Sequence, residues 1–267
     1  LPLQSLHLAF PTDSTSPADT TQRKASDLVA EAFGPGRDAP MLLVVDARDL
    51  PEADRDASFY AVTSWAAGQE GVANAQVAGS NEAGTGAQIL VTPTTGADDT
   101  ATEDLLSALR DGQADIEEET GTTIGVTGLT AITTDVSERL SAALPIYLAV
   151  VVGLAFILLM IVFRSILVPL TATLGFLLSV LATLGATVAV FQEGAFGPME
   201  GQPIVSFMPI FLIGLVFGLA MDYQVFLVTR MREAHVHGMS TREAVVDGFR
   251  NSARVVAAAA VIMISVF

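Results

Sequence analysis

Asp222 is a carboxylate placed where a carboxylate is costly. It lies within Gly214-Leu-Val-Phe-Gly218-Leu-Ala-Met-Asp222-Tyr223-Gln-Val-Phe-Leu-Val-Thr-Arg230, an apolar run of membrane-spanning length. An ionisable group in hydrocarbon costs about 3 kcal/mol even on lenient insertion scales, so it is by default a functional-site candidate. Hydrocarbon disfavours the charged form, and a carboxyl there can load a proton from one side and release it when its exposure changes. Proton coupling is therefore the chemistry this helix suggests. The bland alternative is a buried polar clamp holding two helices by hydrogen bonds.

Gly214, Gly218 and Asp222 lie four residues apart. Each step of four turns a helix by about 400°, so the three share one face with about 40° of drift. Two glycines in small-xxx-small spacing let a neighbouring helix approach, which predicts that the carboxylate points into a helix interface. Tyr223 is about 100° round and can add a phenol to a polar network. Asp222 precedes Arg230 by eight residues, roughly 12 Å along the axis. Ser265 in a later apolar run, and Thr173, Ser179 and Thr183 in an earlier one, could extend such a network, although packing is the commoner role for each. His235 and His237 lack the further ligands that a metal site needs. No P-loop, nucleophile elbow or HExxH pattern is present, so neither ATP-driven work nor hydrolysis is read from the chain. Intramembrane aspartic proteolysis needs two acids, and the apolar runs hold one.

The elements that carry these residues divide in two. Residues 1–143 hold 7 Lys/Arg and 23 Asp/Glu, the rest 6 of each, so the net charge of −16 lies wholly in the first part. That balance describes an acidic soluble module followed by a membrane module, and argues against nucleic acid as a partner. There are no cysteines and no signal-peptide pattern at Leu1.

In the acidic part the apolar spacing predicts a helix from about residue 18 that stops at Gly34-Pro35-Gly36. Strands are expected at 41–45, 72–77, 88–92 and 123–126, with helices over 54–67 and 100–119. This βαββαβ order is the ferredoxin-like, split-βαβ arrangement. A helix starting after Gly128 leads into the membrane near Pro145.

Apolar runs at 146–163, 166–191, 204–229 and 254–267 predict four spans, the last too short to cross. The chain is thus expected to be a piece of a larger transporter. An acidic, Gly/Pro-rich loop is expected at 193–202 and a polar loop at 230–253, with a short amphipathic helix over 239–252 carrying Ala244, Val245 and Phe249 on one side. All six Arg of this part fall after the first or third run. The positive-inside rule puts those loops in the cytoplasm and residues 1–143 outside.

These residues carry a family resemblance. Phe207-Met-Pro-Ile-Phe-Leu-Ile-Gly-Leu-Val-Phe-Gly-Leu-Ala-Met-Asp222-Tyr223 resembles the Asp-Tyr helix of MmpL-type transporters in the resistance-nodulation-division superfamily. Phe33-Gly-Pro-Gly36 with Ala39-Pro-Met-Leu-Leu-Val-Val-Asp46, Gly128-Leu-Thr-Ala, Phe163-Arg-Ser165 and Asp247-Gly-Phe-Arg-Asn-Ser-Ala-Arg254 are also similar to that family. The resemblance implies an α+β extracytoplasmic porter domain over 1–143, joined to an all-α polytopic membrane domain over 144–267 of a cell-membrane protein. It implies twelve membrane helices in two repeated halves, of which this piece looks like the second. It also implies proton-driven export of lipids or lipid-like molecules to the actinobacterial envelope, with Asp222 and Tyr223 as proton relay; the spacing read above adds Ser265 as a candidate support and Gly214 and Gly218 packing beside them. Its partners would be a lipid substrate, protons, the membrane, the missing other half and further copies of the protein. No cofactor, no metal and no enzymatic activity are implied. The competing reading is a non-transporting membrane scaffold or lipid-binding protein in which Asp222 clamps helices.

Overall fold

The computed structural model describes residues 2–195 and 201–266. The chain forms two compact units, one of residues 6–142 with 190–206, the other of residues 1–5, 143–189 and 207–267. Of the expected loop at 193–202, residues 196–200 lie outside the described residues.

The first unit begins with strand β1 (Leu8–Ala9) and helix α1 (Thr21–Phe33). Thr20 caps α1 by accepting from Arg23 N, and the helix ends at Gly34, whose φ of +90° a side chain would resist. Next come β2 (Met41–Asp46), α2 (Glu52–Ala67), β3 (Val72–Ser80), β4 (Gly86–Pro93), α3 (Thr100–Asp111), α4 (Gln113–Thr120) and β5 (Thr123–Thr127). The four longer strands form one sheet in the order β3-β4-β2-β5, with every neighbouring pair antiparallel.

Alternation builds the core. Met41, Leu43 and Val45 of β2 are fully buried, and they stand opposite Val91, Ile89 and Ala87 of β4. Side chains two apart share a sheet face, and this face is covered by Phe59, Val62 and Ala66 of α2 and Leu105, Leu106 and Leu109 of α3. Full burial of each such aliphatic side chain contributes about 2 kcal/mol. Asn81 closes the hairpin, its Oδ1 accepting from Thr85 N and Gly86 N.

Two features depart from the spacing-based expectation. The helix expected over 100–119 is broken at Gly112 into α3 and α4. A Cβ on Gly112 would stand 2.9 Å from Trp65 Cζ2, so the indole occupies the space a side chain would need. The third apolar run does not start as helix: Ile204–Val205 form β6, which pairs in parallel with β1 through Leu8↔Ile204 and Ala9↔Val205. Ser137 and Ser206 hydrogen bond at 2.6 Å beside this pairing.

Helix α5 (Leu129–Phe163) contributes its residues up to Ala142 to the first unit and the rest to the second. The second unit adds α6 (Leu167–Thr187, continued by a π-turn at Val188–Gln192), α7 (Met208–Val236) and α8 (Thr241–Val266). All four helices are long and apolar enough to cross a membrane. Pro169 and Pro209 sit in the first turns of α6 and α7, where a missing N–H costs nothing. Arg164, in the turn between α5 and α6, takes a left-handed φ of +47°. The stretch expected as a polar loop at 230–253 is mostly helical, since α7 runs to Val236 and α8 starts at Thr241. Its amphipathic part is the first half of α8 rather than a separate helix. Met231 lies against Gly248, and the stripe Ala244, Gly248, Ser252 is buried, so this half of α8 packs on α7.

Candidate functional site around Asp222

Helix α7 carries three distinct faces. Pro209, Ile213 and Met221 are buried, and Ile213 and Met221 with Phe217 pack in one cluster with Phe176, Val180 and Leu184 of α6 and Leu159 of α5. Phe217 meets Phe176 edge-on at 5.3 Å between centroids, a favoured aromatic geometry. Asp222 follows Met221 by one residue, hence about 100° of rotation, and its side chain is exposed.

Gly214, Gly218 and Asp222 run along this second face. A Cβ on Gly214 would lie 3.0 Å from Tyr147 Oη of α5, so the first glycine does admit a neighbour. Gly218 has open space around it, and Asp222 makes no hydrogen bond or ion pair with the described residues. The expectation that the carboxylate points into a helix interface is therefore not met within this chain. The α5–α6 packing occupies the neighbouring face, and the face of Gly218 and Asp222 stays open.

Tyr223 lies on the third face, half-buried in a cleft of about 490 Å³ between α7 and α8. Val216, Leu227, Val256, Ala260 and Met263 line this cleft, and Gln224 is its other polar group. Asp222 and Tyr223 thus open to different sides of one helix. Ser265 is not brought to them: its hydroxyl donates to Ile262 O at 2.7 Å on an exposed face of α8. Thr173 and Thr183 likewise donate to their own helix, to Pro169 O and Ser179 O, both at 2.8 Å. His237 Nδ1 donates to Glu233 O, a carbonyl of the last turn of α7, and His235 Nδ1 donates to Met239 O in the turn that follows.

In the first unit the chain gathers a cavity of about 530 Å³ that spacing did not reveal. Its wall carries Asp13, Asp98 and Glu103 with the buried hydroxyls of Thr130 and Thr134. Glu103 also meets His7 Nε2 at 3.2 Å. That hydrogen bond raises the His7 pKa above the ordinary 6.5, against a smaller opposing effect of burial. Nearby, Arg110 of α3 grips Asp135 of α5 with two bonds, 2.5 and 2.8 Å long. Partners 25 and 96 residues apart leave no local signal in the sequence. Gly248 and Ser252 did carry one, the same small-xxx-small spacing seen at Gly214 and Gly218.

Comparison with known proteins adds to this geometry. The sequence profile of the MMPL family matches residues 14–267. Membrane protein YdfJ of Bacillus subtilis is 42% identical over 271 residues, covering 100% of this chain and 37% of YdfJ. The heme uptake protein MmpL11 of Mycobacterium tuberculosis is 42% identical over 147 residues, 54% of this chain and 15% of its own length. The mycolic acid-containing lipids exporter MmpL11 of Mycolicibacterium smegmatis is 40% identical over 149 residues, 54% of this chain and 16% of its own. The chain therefore spans well under half the length of these relatives.

Proposed function

The chain belongs to the MMPL family and is a multi-pass membrane protein, and from that premise we propose that it serves proton-driven export of lipids or lipid-like molecules to the cell envelope. Asp222 and Tyr223 act in this reading as the proton relay of one half of a larger transporter. The observation that carries it is the state of Asp222, a carboxylate on an otherwise uncharged stretch of α7, beside open Gly218, with no partner among the described residues. Within this chain a clamp has nothing to clamp. The open face at Gly218 fits a helix of the other half, against which the carboxyl can exchange protons.

The first unit, read as residues 1–143 outside the membrane, is the porter domain. Its strand order β3-β4-β2-β5 supports the ferredoxin-like assignment. Its polar cavity is a place for a head group, and the membrane-facing apolar helices suit acyl chains. The six arginines after the first and third spans support the orientation. The name of the M. smegmatis relative supports the lipid class.

The test is Asp222→Asn in the full-length protein, a change that keeps the volume and removes the titration. It should insert at the wild-type level and lose lipid export from cells by about a hundredfold or more, the range for a positioned proton-transfer group. Wild-type export by this variant would end the relay assignment. Heme uptake, named for the M. tuberculosis relative, is the competing reading, and growth of the same cells on heme as iron source separates the two.

A further inference from the structure

We infer that the charged first half of α8 is a docking surface for anionic phospholipid. The inference rests on α8 being a membrane span and is independent of the relay.

The face of α8 that meets α7 is the stripe Ala244, Gly248 and Ser252. Arg242, Val246 and Arg250 precede these residues by two, which is about 200° of rotation, so they face away from α7. Arg254 continues the same four-residue spacing. Beyond it, residues 255–266 carry no charge, so the arginines stand where the helix leaves the hydrocarbon.

The polar groups nearby have sorted themselves in a particular way. Glu243 accepts from Ser240 Oγ at 2.6 Å, and Asp247 accepts from Asn251 Nδ2 at 3.0 Å. Both local acids are thus held by neutral partners. Elsewhere on this unit Arg230 pairs with Glu233 and Arg232 donates to Val162 O at 2.7 Å. Among the described residues Arg242, Arg250 and Arg254 have no hydrogen bond or ion pair, although two carboxylates lie on the same turns. Three guanidinium groups in a row, left open while adjacent acids are engaged, call for an anion from outside the chain.

What kind of anion follows from the rest of the face. Arg242, Arg250 and His237 line a concavity of about 640 Å³ together with Val246 and the two acids Glu243 and Asp247, whose carboxylates are the ones engaged by Ser240 and Asn251. Val245 and Phe249 are exposed alongside. Apolar side chains flanking arginines at the end of a span match a phosphate head group with its acyl chains beneath, better than a soluble anion.

The experiment reconstitutes the protein into nanodiscs of phosphatidylcholine with a minor fraction of phosphatidylglycerol. Native mass spectrometry then counts the lipids each protein retains. Wild type should retain phosphatidylglycerol preferentially, and each arginine removed should weaken retention about fivefold, so R242Q/R250Q should lose about 25-fold. E243Q/D247N, which removes no arginine, should strengthen retention and reads out the same surface if the first variant misfolds. Equal retention of both lipids by wild type would overturn the proposal. So would unchanged retention in both variants. Displacement of the lipid by millimolar inorganic phosphate would mark a soluble-anion site and overturn the lipid assignment.

Discussion

Gly248 of α8 rests so closely on Met231 of α7 that a Cβ there would stand 2.8 Å from both Met231 Cα and Met231 N. Only Met231 Cγ, at 2.6 Å, belongs to a side chain that could swing away. The helix bearing Asp222 is therefore fixed to α8 by backbone contact, some nine residues beyond the carboxylate.

That contact decides the sign of Gly248→Ala. In a free helix the change would stabilise by about 1 kcal/mol, because glycine is a poor helix former. Here backbone atoms would have to part, and overpacking costs about 1–3 kcal/mol. The clash should win, lowering the melting temperature of the protein in detergent. Gly185→Ala in α6 is the control. Its Cβ would meet nothing within 4 Å, so the same measurement should show no loss.

Arg110 and Asp135 offer a second case where geometry matters more than charge. The pair is bidentate but about two-fifths exposed, with side-chain exposures of 35% and 41%. Solvent screening holds such pairs to about 1 kcal/mol. Arg110→Lys keeps the charge and loses the fork, so it should cost nearly as much as Arg110→Ala. A double-mutant cycle with Asp135→Ala, read by denaturant unfolding, should return a coupling of about 1 kcal/mol.

His7 makes the first unit sensitive to pH. Its folded pKa is raised above the ordinary 6.5, chiefly by the hydrogen bond to Glu103 and further by Asp98 and Asp99. Protonation is thus favoured in the folded state. The stability it contributes is fully present below pH 6.5 and is lost as pH rises through the raised folded pKa. Thermal melts across that window should show a decline that flattens in Glu103→Gln, and the His7 ring resonance should titrate above an unfolded reference.

The sheet and its core were legible because two-residue alternation is local and strong. Met41, Leu43 and Val45 announce β2, and Ile89 with Val91 announce β4. The break at Gly112 was not, because a single glycine inside a helical pattern is ordinarily tolerated, and the Trp65 ring that needs the space is 47 residues away in sequence. The β1–β6 pairing joins two residues to two others 196 positions away, and it carries no periodicity at all. Charge hid the continuity of α8: its first half reads as a short separate amphipathic helix because its arginines and acids break the apolar run, whereas the packing stripe Ala244, Gly248, Ser252 was present in the spacing. At the site, spacing put Gly214, Gly218 and Asp222 on one face. Which face of α7 the other helices would take depends on tertiary packing, and they took the one beside it.

Tyr223 supplies the sharpest test of the relay, because its two roles can be pulled apart. Its ring helps line the α7–α8 cleft with Val256, Ala260 and Met263, while its phenol is one of two polar groups there with Gln224. Tyr223→Phe keeps the ring, so melting temperature should hold within about 0.5 kcal/mol of unfolding free energy. If the phenol passes protons to or from Asp222, export should still fall by about a hundredfold or more, as for loss of a positioned proton-transfer group. Residues that act as one unit lose function non-additively. Asp222→Asn/Tyr223→Phe should therefore export no less than Asp222→Asn alone. Multiplying losses in the double variant would mean that the two side chains work separately, as their opening to different sides of α7 would then suggest.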